Sequence, residues 1–367
     1  MCAPGLERVV VSELAALGLA ARRPGQGVVP VQMSTRELYL ATASLRSAAR
    51  VLVSAARFRA ATFAELERGA AEVPWGDWLR PGQPVRWRVT SHRAPLFHTG
   101  AVAERLAAVV GSGPAEPGAT DVQSVVVRIV GADAVVRVDA AGAPLHQRGW
   151  RLRPAQAPLR ETLAAAALLA SGWRTDEPLV DPFCGSGTIA IEAALMARRA
   201  APGLQRGFAF QGWPSFAPGT WASVREALRG ALRVDGPSPT IVATDRDRAA
   251  IDATRANAER AGVAGDIEVR RSSLSALVDP APGRTGWLLT NPPWGGRLGG
   301  AGDLRDLYAA LGTVAGTRLP GWGVALIAAD PRLAGHTHLG LEPRLRTRSG
   351  GALVHLLVRE AVGRSGG

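Results

Sequence analysis

The segment Asn291-Pro292-Pro293-Trp294 combines groups suited to holding a flat amine. Two consecutive prolines exclude a helix and remove two backbone N–H donors, so the carbonyls here are expected to stay unpaired. With the Asn291 side-chain oxygen they would form a cluster of acceptors that holds an amino group by its hydrogens. Trp294 adds a flat face on which a base could stack. The alternative is a rigid loop with a packed tryptophan.

A second segment joins an expected strand to an expected helix through closely spaced glycines. Glycines let the backbone approach a ligand closely, and the first turn of a helix offers free N–H groups. With Ala190 the spacing also fits a dinucleotide site, but the acid expected about 20 residues further on is missing, since Glu226 is the next acid after Glu192. A P-loop is excluded because no G-x-x-x-x-G-K pattern occurs, and a tight turn without a ligand remains the alternative. The segment consists of Asp181, Pro182, Phe183, Cys184, Gly185, Ser186, Gly187 and Thr188.

A third segment, Thr244-Asp245-Arg246-Asp247, follows another expected strand. A carboxylate at a strand end can accept hydrogen bonds from both hydroxyls of a ribose, and we assign Asp245 to that role. We assign Asp247 to the N-cap of the next helix. The alternative is that both carboxylates are caps or are solvated.

The elements that must position these segments alternate between strand and helix. Repeated β-then-α order predicts an α/β fold with a mostly parallel sheet, which binds ligands at the carboxyl ends of its strands. The expected strands are 179–180, 241–244, 287–290, 324–328 and 352–358. Three helices are expected: one that starts at Ile189, one over 249–261 with Gly262 as its C-cap, and one over 304–314.

The first half of the chain predicts an α+β arrangement instead. Residues 85–89 alternate apolar side chains with Arg86 and Arg88, which is typical of a strand with one wet face whose arginines could bind phosphates. The other expected elements are helices over 7–19, 45–58 and 99–110, strands over 125–130 and 134–138, a loop over 111–119 and an interdomain connection over 142–158.

The composition describes a globular protein of two or three domains, at roughly 100–200 residues per domain. Apolar residues make up 47% and charged residues 20%, which excludes disordered and collagen-like chains. Cys2 and Cys184 are too few for a disulfide framework or a cysteine-rich zinc site, so we expect no metal and a cytoplasmic protein. The apolar stretch 163–173 is shorter than the roughly 18 residues of a membrane span. The net charge of +12 suits a polyanionic partner, most simply nucleic acid. All basic side chains other than histidine are arginine, and the absence of lysine is not evidence of function.

Taken together, the three segments resemble class I S-adenosylmethionine-dependent methyltransferases that act on amino groups. The chain further resembles the family of guanine-N2 RNA methyltransferases that carry a THUMP domain, strongly over residues 140–360 and more weakly over 1–140. The segments of that resemblance are Pro4-Gly5-Leu6-Glu7, 145–151, 157–164, 171–173, 191–194, 201–206, 291–295, 297–299, 307–308 and 311–312.

This resemblance implies a Rossmann-like class I methyltransferase domain over 161–362, preceded by a ferredoxin-like segment over 1–50, a THUMP domain over 51–142 and a linker over 143–160. It implies S-adenosylmethionine as cofactor and Asn291, Pro292, Pro293 and Trp294 as the catalytic turn. The implied cofactor-binding residues are Asp181, Phe183, Cys184, Gly185, Ser186, Gly187, Thr188, Asp245, Arg246, Ser272, Ser273 and Asn291.

The sequence also departs from the family pattern. Ser272 and Ser273 occupy the place where relatives often have an acid for the adenine amino group, Trp294 replaces the more usual tyrosine, and Gly296 stands where an acid is common. The expected substrate is 23S ribosomal RNA, with transfer RNA as the alternative. The same turn also serves amino methylation of adenine in DNA and of glutamine in proteins, and a non-catalytic RNA-binding or ribosome-assembly factor is an alternative of another class. The oligomeric state stays open.

Overall fold

The structure is a computed structural model that describes residues 1–113, 115, 118, 121–151, 159–234, 238–294 and 301–362. The described chain packs into two compact units. One unit contains residue 1 with residues 50–144 and 206–223, and the other contains residues 2–49, 145–205 and those from 224 onward. No helix in the described ranges has both the length and the apolar character needed to cross a bilayer.

Helices and strands alternate along the chain as follows. The helices are α1 Glu7–Ala16, α2 Thr35–Ser44, α3 Phe63–Ala71, α4 Thr99–Val110, α5 Glu161–Ser171, α6 Thr188–Ala197, α7 Pro218–Gly230, α8 Arg248–Ala261, α9 Ala301–Arg318 and α10 Pro331–Gly335. The strands are β1 Leu52–Arg59, β2 Val85–His92, β3 Gln123–Val130, β4 Asp133–Asp139, β5 Leu179–Asp181, β6 Ile241–Asp245, β7 Ile267–Arg271, β8 Trp287–Thr290, β9 Gly323–Ala328, β10 Glu342–Ser349 and β11 Ala352–Arg359.

The first unit is a four-stranded sheet in the order β1-β4-β3-β2, with only β2 and β3 parallel. Helices α3 and α4 pack on each other and against β1 and β2. Side chains alternate across the sheet, as on any strand with one buried face: Val125, Val127 and Ile129 are buried, and Arg128 and Val130 are exposed. The expected α+β arrangement of this half is confirmed.

The helix expected over residues 45–58 is wrong. Helix α2 ends at Ser44, and the chain then enters β1, which pairs with β4. The run from Val51 to Val53 contains β-branched residues that favour an extended backbone. Arg57 and Arg59, whose spacing suggested a polar helix face, lie on the exposed side of that strand.

The second unit contains a seven-stranded sheet in the order β10-β11-β9-β8-β5-β6-β7. The strands from β9 to β7 are parallel, and β10 and β11 are antiparallel additions at one edge. Alternate residues of β5 belong to different apolar cores, since Leu179 packs with one buried cluster and Val180 with the other. Helices therefore cover both faces, and the predicted α/β fold is confirmed.

Residues 206–223, which follow α6 and run into the first part of α7, belong to the first unit, although the residues before and after them belong to the second. Its Phe208 and Phe210 rings stack 5.2 Å apart, and Phe210 packs edge-on against Trp221 at 5.3 Å. The indole N–H of Trp213 donates to the Gln123 side-chain oxygen at 2.9 Å. Aromatic burial and this hydrogen bond hold residues 206–223 on the four-stranded unit.

An ion pair buried in the second unit joins its early and later segments. Arg148 Nε lies 3.2 Å from Glu192 Oε1, and both side chains are almost fully buried. Arg148 also donates to the carbonyls of Arg46 and Leu145, at 2.6 and 2.7 Å. A buried guanidinium in this position satisfies several acceptors at once, so its removal leaves a buried charge and unpaired carbonyls.

Replacing Arg148 with methionine should lower the free energy of unfolding by about 3–5 kcal/mol, because Glu192 would remain buried without its closest partner. Arg174→Met is the matched control, since Arg174 pairs with Asp176 at 2.6 Å on the exposed surface, and the free energy of unfolding should change far less in this variant. Urea denaturation measures both. An equal loss of unfolding free energy in the two variants would show that the buried pair stabilises the fold no more than the surface pair.

Candidate active site

The three segments singled out in the sequence meet at one edge of the parallel sheet. Strand β5 lies between β6 and β8 and runs parallel to both, so the three strands end on the same side. Asp181 ends β5, Asp245 ends β6 and Asn291 follows β8. The sheet topology therefore brings together a buried acid, a half-buried acid and an amide that lie far apart in sequence.

The glycine turn after β5 is held by its own backbone and by β6. The Cys184 N–H donates to the Thr244 carbonyl at 3.0 Å, and the Gly187 N–H donates to the Cys184 carbonyl at 2.7 Å. Gly187 has a φ of 82°, and a Cβ placed there would lie 2.6 Å from the Thr254 methyl carbon. Gly185 also has a positive φ, of 54°, but the space around its missing Cβ is open. Open space over Gly185 leaves the backbone accessible to a ligand.

Asp245 uses its carboxylate to connect the turn to the start of α8. One oxygen accepts the Gly185 N–H at 3.1 Å and the other accepts the Asp247 N–H at 3.0 Å. Each carboxylate oxygen has a second lone pair that remains for a ligand hydroxyl. Asp247 caps α8 by accepting the Ala249 N–H at 2.9 Å, which confirms its predicted role.

Asp181 is a buried carboxyl group that orders the turn. Its Oδ1 accepts the Phe183 N–H at 3.2 Å and the Thr290 hydroxyl at 2.5 Å. Burial raises the pKa of Asp181 from 3.8 to about 7, with a smaller contribution from the nearby Asp245 charge and opposition from the two hydrogen bonds. A carboxyl group that titrates near neutral pH is sensitive to any cation brought beside it.

The turn after β8 presents one acceptor without a donor. Asn291 Oδ1 is buried and has no hydrogen-bond partner in the described chain. The Trp294 indole N–H donates to the Ile327 carbonyl at 3.0 Å, which fixes the ring beside β9. The Tyr308 hydroxyl donates to the Pro293 carbonyl at 3.5 Å, so the expectation of unpaired carbonyls is wrong at Pro293.

The remaining predicted cofactor residues lie around these groups in different ways. Phe183 is half-buried against an apolar core, and burial raises the pKa of the Cys184 thiol, which suits a pocket wall better than a nucleophile. The Ser272 N–H donates to the Asp245 carbonyl at 3.0 Å, which brings the end of β7 to the site. Arg246 is exposed. The stretch 295–299 of the family resemblance lies outside the described residues, as do residues 152–158 of the expected linker.

Several polar residues that support the site were missed from the sequence. The Thr254 hydroxyl donates to the Gly185 carbonyl and the Asn257 amide to the Ser186 carbonyl, both at 2.9 Å. Arg151 donates to the Thr188 hydroxyl at the start of α6. The rarity of asparagine was a usable signal for Asn257, because Asn257 and Asn291 are the two asparagines of the chain and both lie here.

Comparisons with known proteins find related families and solved structures of the same fold. Residues 148–339, more than half of the chain, match the RMKL-like methyltransferase domain family, and residues 1–52 match the RlmL ferredoxin-like domain. A ribosomal RNA large subunit methyltransferase K/L from Marinomonas sp. (strain MWYL1) is 32% identical over 366 residues, which cover 95% of this chain and 50% of that protein. The chain spans about half the length of the curated relatives it matches.

Solved structures share the fold along nearly the whole chain. SMU.472, described as a candidate methyltransferase and complexed with SAH, has a TM-score of 0.86 and 26% identity over 98% of this chain and 96% of its own. A protein from Listeria monocytogenes str. 4b F2365, described as a predicted N6-adenine-specific DNA methylase, has a TM-score of 0.84 and 30% identity over 97% of this chain and 94% of its own. The parallel sheet carries the Asp181, Asp245 and Asn291 segments at one edge, and the family match covers residues 148–339. The chain therefore belongs to the RMKL-like methyltransferase domain family.

Proposed function

We propose that this chain is an S-adenosylmethionine-dependent RNA methyltransferase that methylates the exocyclic N2 amine of a guanosine in 23S ribosomal RNA. The observation that carries the proposal is that the buried Oδ1 of Asn291, just after β8, has no hydrogen-bond partner among the residues that the structure describes. A buried acceptor without a donor is costly unless a ligand supplies one. An amino group entering this turn would supply that donor, next to the pocket formed by the glycine turn.

The pocket residues fit the proposed cofactor. The open space over Gly185 and the free lone pairs of Asp245 suit a ribose with two hydroxyls. The raised pKa of Asp181 suits a molecule that brings positive charge to a buried carboxyl group. The bound SAH of SMU.472, which shares this fold at 26% identity, supports the same assignment. When bound, S-adenosylmethionine supplies an already activated methyl group.

The chain contributes mainly position and electrostatics to the transfer. Asn291 Oδ1 accepts one hydrogen of the amine, and the Pro292 carbonyl accepts the other, since the Pro293 carbonyl already accepts Tyr308. Two acceptors orient the nitrogen lone pair and stabilise the positive charge that develops on it. No strong base is needed: the nitrogen gains a positive charge when it accepts the methyl group and then loses one of its hydrogens to water as a proton.

An RNA substrate is supported by the net charge of +12 and by the rRNA methyltransferase name of the Marinomonas relative. We assign residues 51–142 to a THUMP domain. For the other segments we keep the boundaries expected from the sequence. Transfer RNA is the alternative substrate. A target base in a helix must leave its stack to reach Asn291, and the fixed ring of Trp294 offers a surface for the extruded base.

A second candidate, methylation of adenine N6 in DNA, is favoured by the description of the Listeria structure. The turn at Asn291 would hold the amino group of guanine or of adenine in the same way. The two candidate functions therefore differ in the nucleic acid that is methylated. Labelled methyl transfer to total RNA, DNA and protein, followed by mass spectrometry of the nucleosides, identifies the substrate. Label in N2-methylguanosine of ribosomal RNA supports the proposal; label only in DNA adenine, or none at all with intact cofactor binding, rejects it.

Asn291→Ala should lower kcat for RNA methylation by about 100- to 1000-fold, because it removes an acceptor that stabilises charge in the transition state. The dissociation constant for S-adenosylmethionine should change less than about threefold, because the other proposed cofactor-binding groups, Asp181, Asp245 and the glycine turn, stay intact. Steady-state kinetics and calorimetry measure the two quantities. Unchanged turnover would remove Asn291 from the reaction.

Asp245→Ala should raise the dissociation constant for S-adenosylmethionine by roughly ten- to a hundredfold, the effect of losing hydrogen bonds to a charged acceptor. Asp252→Ala is the control, because Asp252 lies exposed on α8 and touches no residue of the turn. Calorimetry of both variants tests the ribose assignment. Equal affinities for the two would refute it.

The affinity for S-adenosylmethionine should increase as the pH rises to about 7 and then level off. Below the pKa of about 7, Asp181 is protonated in the free protein and must lose its proton before it can pair with a cation. We therefore expect roughly tenfold weaker binding at pH 6 than at pH 8. Asp181→Asn keeps the acceptor for Phe183 and Thr290 but cannot ionise, so its affinity should not follow this pH dependence. A parallel pH profile in both proteins would exclude Asp181.

A further inference from the structure

The hairpin of β10 and β11 extends past the parallel strands on the side where the candidate site lies. Strand β9 ends at Ala328, which pairs with His355 of β11. Beyond that pair, the hairpin continues to its turn between Ser349 and Ala352. Asn291 follows the end of β8, which runs parallel to β9. The tip of the hairpin and Asn291 therefore lie at the same edge of the sheet.

A cleft of about 450 Å³ lies between this hairpin and α10, and we call it the hairpin cleft. Its lining consists of glycine, proline, alanine and leucine residues, among them Ala334, Leu341 and Leu357, and of His355. Of the described residues that line the cleft, His355 has the only polar side chain and the only aromatic ring. A volume in this range suits a small ligand, and a largely apolar lining with one polar group is typical of such sites.

The alternation of side chains along β10 places two arginines on the face of the sheet that carries the cleft. Leu345 packs into the apolar core on the other face, so Arg346 points to the cleft side, and Arg348 does the same two residues later. Arg346 is paired in register with His355, and residues directly opposite in antiparallel strands share a face. Both arginines are exposed. The ring of His355 therefore has positive charge beside it.

The charge of these two arginines is not neutralised by a carboxylate of the described chain. Arg344, on the same strand, pairs with Glu360. Arg346 has neither an ion pair nor a side-chain hydrogen bond among the described residues. Arg348 donates from Nη1 to the Gly351 carbonyl at 3.2 Å, which leaves its other N–H groups for a ligand. Both guanidinium groups are thus available to an external anion.

Charged side chains on an edge strand can also serve only to prevent pairing with another chain. At Arg346 the backbone of β10 is already covered, because Gly5 lies against the Arg346 carbonyl and leaves no room for a Cβ between them. Gly5 has a φ of 96°, so both its backbone conformation and this close approach require glycine. Protection of the edge therefore does not account for the exposed charge at this position.

The location of the hairpin cleft fits a nucleotide close to the target in the same strand. From Asn291 after β8 to Arg346 on β10 the sheet crosses three strand spacings, or about 14 Å. Trp294 lies between them, since it donates to the carbonyl of Ile327 on β9. Unpaired bases of RNA are held by stacking on rings such as that of histidine, and guanidinium groups suit the phosphates beside them. The His355 ring and the two arginines provide both kinds of contact.

We propose that the hairpin cleft binds one unpaired nucleotide of the RNA substrate near the methylated one, with its base against His355 and its phosphate at Arg346 and Arg348. The proposal rests on the proposed RNA substrate and adds a second base-binding subsite to it. Because a base must enter the cleft, the substrate is single-stranded on this side of the target, as in a loop or a bulge.

The test measures the binding of short RNA strands to the full chain by fluorescence anisotropy. The probes are a labelled hexauridylate and a strand of equal length whose sugars carry no base, so that both present the same phosphates. Arg346→Gln removes one charge beside the cleft, and Arg346→Lys keeps it. Arg318→Gln is the charge-matched control, because Arg318 is exposed at the end of α9, before β9 begins at the opposite edge of the sheet. His355→Leu removes the ring but keeps an apolar side chain.

Arg346→Gln should bind hexauridylate about fivefold more weakly at 0.15 M salt, with a salt slope smaller by about 0.7, the value for one phosphate of a single strand. Arg346→Lys and Arg318→Gln should stay within about twofold of the wild type, since a phosphate also accepts an ammonium group. His355→Leu should bind hexauridylate at least about fivefold more weakly, the loss of one stacked base, and should bind the baseless strand as the wild type does.

A measurement on the unaltered chain keeps the proposal testable where a variant folds poorly. Ultraviolet cross-linking of a hexamer that carries 5-iodouridine, followed by mass spectrometry of the peptides, should label the peptide that contains His355. Cross-links only outside the cleft would overturn the proposal. Equal affinities of Arg346→Gln and Arg318→Gln, unchanged binding of hexauridylate by His355→Leu, or equal binding of the two strands by the wild type would do so as well.

Methyl transfer to ribosomal RNA is measured in the same preparations, so that the two proposals can fail separately. Wild-type transfer, with strand binding that Arg346→Gln and His355→Leu leave unaltered, rejects the hairpin cleft alone. Strand binding that depends on both residues, without any methyl transfer to RNA, rejects the proposed function alone.

Discussion

The candidate site depends on the hydrogen bond between the Thr290 hydroxyl and the buried Asp181 carboxyl group. Asp181 also accepts the Phe183 N–H, so one side chain connects the end of β5, the glycine turn and the residue before Asn291. Burying this group is unfavourable, as its raised pKa indicates, and the fold tolerates it because the Phe183 N–H in the turn and the Thr290 hydroxyl on β8 both donate to it. The Asp181 side chain therefore links the glycine turn after β5 to the end of β8, just before Asn291.

Much of the sheet edge at which β5, β6 and β8 end could be predicted from the sequence, because short local patterns of residues specify it. Strand ends, glycine turns and caps depend on a few consecutive residues, as at Asp247 and at Gly262, which ends α8 with a φ of 74°. The alternation of strands and helices predicted the parallel sheet, and the sheet in turn predicted that Asp181, Asp245 and Asn291 meet. The family resemblance supplied the cofactor and the substrate class, which the residues alone left open.

The parts that escaped prediction depend on contacts between distant residues. The Arg148–Glu192 pair, the Thr254 and Asn257 hydrogen bonds to the turn, and the Tyr308 bond to Pro293 each join separate segments. The false helix over 45–58 has a different cause: charged residues at mixed spacing fit both a helix face and one side of an edge strand, and pairing with β4 decides between them.

Under the proposed function, the indole of Trp294 is already in place before a base arrives. Its N–H is already engaged by Ile327, so the ring does not swing out to meet an incoming base. The conformational entropy of the aromatic surface is lost on folding and not on association. The free-energy cost of unstacking the base then falls entirely on the nucleic acid. Nucleotides that are weakly stacked, such as those in bulges, at helix ends or beside mismatches, should therefore react faster, before any of their functional groups is recognised.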